Sequence, residues 1–255
     1  MFIVETQSGI RGIRSLICRS ALAACAMGVL ATGASAHSSD DCKATREISE
    51  ELSLDGIREI SIEARAGKLI VLGQSGLSTA RIEGHACTKR ERDLDEFAVK
   101  SRRDGETLIL EAVLPDPSLI NFGNSNSRLD LEIQVPAGVA IHIDDTSGSL
   151  VVEGVASVEI TDNSGSISVK DVAGLVHVLD DGSGSITIAR AGSVRIDEDG
   201  SGSITASDIR EDVYIGRDGS GSISADTVGG SFTVARDGSG SVRHSNVVGE
   251  VRIDD

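Results

Sequence analysis

The tripeptide Ser-Gly-Ser occurs six times between residues 147 and 241, and no other feature limits the fold of this chain so tightly. Its central glycines are Gly148, Gly165, Gly184, Gly202, Gly221 and Gly240, at intervals of 17, 19, 18, 19 and 19 residues. Apolar residues recur between them in fixed columns. The first is Leu150, Ile167, Ile186, Ile204, Ile223 and Val242. A second is Val158, Val176, Val194, Val213, Phe232 and Val251, and two residues further along lie Ile160, Val178, Ile196, Ile215, Val234 and Ile253. Alternation of this kind is the period of a strand with one buried face. The Gly and Asp-Gly steps between runs supply turns. Each unit of about 18 residues is thus two short strands and two turns, too short to bury its apolar face alone. Equal spacing favours stacking of one coil on the next over a sandwich of hairpins. The expected fold is all-β, a parallel β-solenoid (β-helix) over residues 141–255, with six coils rising roughly 29 Å at ~4.8 Å per strand.

Residues 37–140 are looser but still β-rich. Glu59–Glu63, Lys68–Leu72, Glu106–Val113 and Arg128–Val135 read as strands, either as degenerate first coils or as an amino-terminal cap. His85–Glu96 and Gly123–Ser127 read as solvated loops. Residues 1–36 have the layout of a secretory signal peptide: Arg11, Arg14 and Arg19, then the apolar run Ser20–Thr32, then Ala34-Ser35-Ala36. Cleavage after Ala36 is expected. The competing lipobox-like reading, with Cys25 lipidated, would leave only Ser20–Ala24 as its hydrophobic core. No later stretch is long and apolar enough to cross a bilayer as a helix, so an exported protein of the periplasm or cell surface is expected.

The leader carries three Arg and Glu5, so a chain of net charge −16 becomes −18 without it. That charge repels nucleic acid and anionic lipid. With no Trp, and only Phe97, Phe122, Tyr214 and Phe232 beyond the leader, stacking platforms for bases or sugars are lacking. Cys42 and Cys87, the two cysteines left after the leader, read as one disulfide in an oxidising compartment. A metal site from these with His37 and His85 has no paired Cys-x-x-Cys spacing to support it.

The run Leu129–Gly138 (LDLEIQVPAG), followed by repeated Ser-Gly-Ser-Ile, resembles the bacterial domain-of-unknown-function family of β-strand-repeat proteins labelled "putative adhesins". The likeness covers about Leu54 to Asp255. It implies a β-helical fold and export, and it brings no catalytic residues.

No nucleophile–base pair recurs and no phosphate-binding loop opens a helix. His142 and His177 fall at outward strand positions and read as solvated. His244 stands in a column otherwise filled by Val152, Val169, Ile188, Ala206 and Ala225, which marks the end of the stack. Asp181, Asp199, Asp218 and Asp237 align in one column, read as solvated surface, with Asp180, Glu198, Arg217 and Arg236 just before them. Arg217 and Arg236 are expected to neutralise their half of it. Asp181 and Asp199 are the candidate calcium ligands. The expected function is non-enzymatic: an adhesin-like or envelope scaffold acting on an unidentified protein or cell-envelope partner. A calcium-binding module and a polysaccharide-active β-helix enzyme are the alternatives, and no cofactor other than calcium is implied.

Overall fold

The computed structural model describes residues 42–115 and 127–254. The expected leader, Cys25, His37, Phe122 and most of the segment 123–127 lie outside the described residues.

The repeat region winds as expected. Sheet-two strands β8 (Ala140–Asp145), β10 (Ser157–Asp162), β12 (Leu175–Asp181), β14 (Ser193–Asp199), β16 (Val213–Asp218) and β18 (Phe232–Val234) alternate along the chain with sheet-one strands. Those are β9 (Ser147–Glu153), β11 (Gly165–Lys170), β13 (Ile186–Ala189), β15 (Gly202–Ile209), β17 (Gly221–Val228) and β19 (Gly240–Val247); β20 (Val251–Ile253) ends sheet two. Within this region every neighbouring pair is parallel. The apolar columns meet in register, for example Ile186 on Ile204 and Val194 on Val213. They form the core between the two sheets, where most are under 3 % exposed. Burying branched side chains on both inner faces is what holds a coil with so few aromatics.

Two backbone columns fix the corners. The central glycines of the six tripeptides have φ between 136 and 158°. A Cβ on Gly184 would lie 1.3 Å from the carbonyl oxygen of Gly165, so only glycine lets the coils approach this closely. At the other corner, Asp171, Arg190, Asp208, Thr227 and Asn246 all have φ of 53–56°. The first four precede buried Val172, Ala191, Ile209 and Val228, and Asn246 precedes half-buried Val247. The left-handed turn thus returns the chain inward even where Arg or Thr must adopt it.

One of the residues by which the later intervals exceed the first has a structural cause. β8 and β10 alternate simply, with Ile141, Ile143 and Asp145, then Val158, Ile160 and Asp162, facing inward. In β12 the register shifts after Val178, so Leu179 is an extra residue and Asp181 aligns with Asp162. Later coils keep that extra residue and stay in register with β12.

The amino-terminal portion supplies both degenerate coils and a cap. β2 (Glu59–Glu63) and β3 (Ala66–Gln74) form a coil, with Gly67 stacked on Gly148. The chain then leaves through β4 (Thr79–Thr88), a 3₁₀ turn (Glu91–Glu96), β5 (Ala98–Asp104), β6 (Thr107–Val113) and β7 (Arg128–Pro136). β6 and β7 pair parallel with β2 and β3 on the side away from β8 and β9. The second-built layer therefore lies beneath the first. Antiparallel β1 (Ala44–Ser53) and β4 extend sheet one, and antiparallel β5 extends sheet two. His85–Glu96 is not a loop: His85 to Thr88 lie in β4 with Ala86, Cys87 and Thr88 buried, because β4 sits between β1 and β7. Cys42 and Cys87 form a disulfide with Cα atoms 5.5 Å apart, tying the start of β1 to β4.

Candidate functional site

Two side-chain ladders run along the solenoid, one inside it and one outside. The inner ladder is the aspartate column. Asp145, Asp162, Asp181, Asp199 and Asp218 are each at most 2 % exposed, and an isolated bridge carries the column on to Asp237. This corrects the reading of the column as solvated surface. The extra residue in β12 and its successors turns the aspartate inward again after the apolar pair, and the following Gly-Ser-Gly-Ser turn covers it. Both carboxyl oxygens of Asp145, Asp181, Asp199 and Asp218 lack a hydrogen-bond partner. Asp162 alone has a directed one, its Oδ1 accepting the backbone N–H of Ser164 at 3.1 Å.

Charge in this column is opposed chiefly by burial. Desolvation and the neighbouring Asp162 push Asp145 up to about 6, and the same two causes push Asp181 up to about 6. Asp199 rises to about 7 through desolvation and the charges of Asp181 and Asp218. Desolvation also raises Asp162 and Asp218. The arginines do not reach the column. Arg217 and Arg236 are exposed, and Arg217 Nη2 pairs with Glu198 Oε2 at 2.6 Å on the outer surface. Position in the strand explains this: Glu198 and Arg217 stand opposite each other one residue before the inward aspartate.

The outer ladder crosses sheet two. His142, Glu159, His177, Arg195 and Tyr214 occupy one outward row on successive strands. Glu159 joins two histidines, Oε1 to His142 Nε2 at 3.1 Å and Oε2 to His177 Nδ1 at 3.2 Å. His177 Nε2 meets Asp197 Oδ2 at 2.9 Å, and Asp197 Oδ1 meets Arg195 Nη2 at 2.7 Å. The Arg195 guanidinium lies 4.6 Å over the Tyr214 ring. The bond from His177 is the main reason that Asp197 sits below the usual carboxylate range. His177 is therefore not a solvated histidine: its side chain is 17 % exposed and carboxylates hold both ring nitrogens. The common row was visible in the aligned repeat, but Asp197 enters it only because it is the extra residue of β14.

Among the described residues, no three His, Cys, Asp or Glu side chains are grouped so as to hold a metal ion. Asp181 and Asp199, the candidate calcium ligands, stand opposite one another in register. His244 aligns with Ala225 as expected, and its exposed ring lies 6.1 Å from that of buried Phe232. On sheet one the outward rows bear hydroxyls. Ser166, Ser185, Ser203, Ser222 and Ser241 form one, and Ser168, Thr187, Thr205 and Ser224 the next.

No protein-family model matches the chain, and no curated protein does. Solved structures do. A "putative cell adhesion protein" from Clostridium sporogenes is 12% identical with a TM-score of 0.34, the match covering 82% of this chain and 99% of that one. A "putative adhesin" from Bacteroides fragilis is 14% identical with a TM-score of 0.36, covering 82% and 97%. A "putative lipid binding protein" from Parabacteroides distasonis is 11% identical with a TM-score of 0.34, covering 84% and 98%.

Proposed function

We infer that this chain is a non-enzymatic, exported binding scaffold, adhesin-like or part of the cell envelope, which lays one solenoid face along an extended partner. The observation that carries this reading is the outer face of sheet one. On a protein with 25% charged residues, two adjacent rows from β11 to β17 carry only serine and threonine, repeated at every coil. A flat, uncharged, hydrogen-bonding lattice suits a partner with its own repeat, protein or glycan, and needs no aromatic stacking. The Cys42–Cys87 bridge supports an oxidising compartment.

The test uses protein purified from cells expressing the full chain, fluorescently labelled and incubated with envelope fractions of the producing bacterium. Saturable binding is expected. Replacing Ser185, Thr187, Ser203 and Thr205 together by Lys should abolish it while leaving the circular dichroism intact. Binding that survives those changes and disappears with His177→Ala would move the site to sheet two.

A second reading, calcium held by Asp181 and Asp199, is favoured by their unpartnered oxygens. It requires millimolar calcium to raise the melting midpoint at constant ionic strength, and EDTA to reverse the rise.

A further inference from the structure

The chain carries six Asp-Gly steps, and the structure divides them into two kinds. In this dipeptide the glycine nitrogen can reach the preceding side-chain carboxyl, because no Cβ on the second residue hinders the approach. Four of the steps belong to the inner column: Asp181-Gly182, Asp199-Gly200, Asp218-Gly219 and Asp237-Gly238. The other two sit in the amino-terminal cap. Asp55-Gly56 lies in the turn from β1 to β2, and Asp104-Gly105 in the hairpin turn from β5 to β6. Both cap aspartates and both cap glycines are exposed, with φ of 76° at Gly56 and 60° at Gly105.

In the column, neighbouring coils hold the peptide unit at both ends. Gly182 N–H donates to the Asp162 carbonyl at 2.9 Å, and the Asp181 carbonyl accepts Gly200 N–H at 2.7 Å. Gly219 N–H donates to the Asp199 carbonyl at 2.8 Å, and Gly238 N–H to that of Asp218 at 2.9 Å. One chain of amide bonds thus threads Asp181, Asp199 and Asp218. Room to turn is missing too: a Cβ on Gly182, Gly200 or Gly219 would lie 2.3–2.4 Å from a carbonyl oxygen of the coil before. Burial raises these three carboxyls and favours their neutral form, the form that can acylate an amide nitrogen. By acid chemistry alone they would be the more reactive set. The cap turns lack the clamp. Neither Gly56 nor Gly105 donates its N–H to a hydrogen bond among the described residues, and a Cβ on either meets nothing within 4 Å. Arg103 Nη1 does hold the Asp55 carbonyl at 3.0 Å, so Asp104 is the freer of the two.

We propose that Asp104, and more slowly Asp55, are sites of spontaneous backbone isomerisation, from which stacking protects Asp181, Asp199 and Asp218. The Gly105 nitrogen attacks Asp104 Cγ and a C–N bond forms. The carboxyl's hydroxyl leaves with the amide proton as water, which closes a succinimide ring. Water then adds back at one of the two ring carbonyls. Opening at the α-carbonyl leaves an isoaspartyl link, with the main chain running through Cγ and the α-carboxylate free. Opening at Cγ returns aspartate. The water lost in closure is regained in opening, and no oxidant, reductant or enzyme enters. The product places an extra methylene in the tight turn between paired Asp104 and Thr107. Beside it stands Arg103, whose guanidinium ties this hairpin to the carbonyls of Ser53 and Asp55. The cap therefore ages where the coils do not.

The test incubates protein purified from cells expressing the full chain for weeks at neutral pH, one portion native and one in urea. Peptide mapping by mass spectrometry then separates isoaspartyl from aspartyl forms at each step. In urea, Asp55, Asp104, Asp181, Asp199 and Asp218 should isomerise at comparable rates. In the native portion Asp104 should stay close to its urea rate. Asp181, Asp199 and Asp218 should slow by about tenfold or more, because they react only after local opening of the stack. Asp104→Glu lengthens the acid by a methylene, disfavours ring closure and should erase the signal at that step alone. The position is exposed, so the fold is kept, and circular dichroism verifies this. A native Asp104 as slow as the column overturns the proposal. So does a native column that isomerises as fast as Asp104, or a signal at that step that survives Asp104→Glu.

Discussion

Asp181 and Asp199 face each other across adjacent coils with both side chains buried and none of their four carboxyl oxygens hydrogen-bonded. Ionising both would place two unpaired charges in the core, so the folded chain holds protons that the unfolded chain releases. The affected groups stand at about 6 for Asp145 and Asp181 and about 7 for Asp199, against 3.8 when unfolded. Stability from a raised carboxyl is fully present below its unfolded value and is lost as pH rises through its folded value. The melting midpoint at constant ionic strength should therefore rise as pH falls from 8 to about 4.5. Asp171, Asp197 and Asp226, held below 3.8 by their hydrogen bonds, work the other way only in stronger acid. Calorimetry showing a flat or falling midpoint between pH 8 and 5 would refute the buried ladder.

Asp199→Asn keeps the shape of the side chain and removes its charge. At pH 8 it should stabilise the protein by up to about 4 kcal/mol, since the rise from 3.8 to about 7 is roughly three pKa units and each is worth about 1.4 kcal/mol. At pH 5, where Asp199 is already neutral, it should change little. Chemical denaturation at the two pH values reads the difference, and equal effects at both would place Asp199 outside the titrating column.

Closeness of the coils at the Ser-Gly-Ser corner predicts a sharp contrast between glycines. Gly184→Ala puts a methyl against the Gly165 carbonyl at φ of 142° and should cost several kcal/mol or prevent folding. Gly138→Ala meets nothing within 4 Å and should be nearly neutral. Thermal melts of the pair decide. Similar midpoints would mean that the coils lie further apart at this corner.

Inward and outward positions separate in the same way. Ile204→Ala removes a side chain 1 % exposed and should cost about 2–5 kcal/mol. Thr205→Ala, on the exposed face, should stay within about 0.5 kcal/mol. Urea unfolding measures both, and comparable losses would contradict the register.

Reducing Cys42–Cys87 reopens a loop of 45 residues. The chain-entropy model gives about 4 kcal/mol for a loop of this size. Urea unfolding with and without reductant should show that loss, and indistinguishable curves would mean that the cap draws no stability from the bridge.

The repeat made the core legible because each column is sampled six times, so the assignment of Ile204 or Val194 does not rest on one local pattern. The same logic stopped short at the aspartates. Alternation from Val178 would place Asp180 inward, and only the extra residue Leu179 moves the inward position to Asp181. The clue lay in the shorter 17-residue spacing and in the plain alternation Ile141, Ile143, Asp145 and Val158, Ile160, Asp162. Burial of Asp145 and Asp162 reveals the column that the bulge conceals. The layered order of residues 59–136 left no such trace. Which strand lies beneath which is settled by pairings far apart in sequence, such as Glu59 with Thr107, and not by local pattern.

That layering sets a timetable for folding. The coil of β2 and β3 is enclosed by strands that come later in the chain: β6 and β7 below it, β8 and β9 above. Gly67 reaches its upper neighbour only when Gly148 arrives, 81 residues on (148 − 67). A polypeptide appearing amino end first must leave the upper side of Ile60, Ile62, Leu69 and Val71 uncovered through that whole interval, even after β6 and β7 have reached the lower side. From Gly148 onward each rung needs only the 17 to 19 residues before it, so growth there is fast once begun. The slow event is thus the closing of the first enclosed layer. Until residue 153 is free to join it, the chain stays open, and the upper edges of β2 and β3 wait for strands that have yet to emerge.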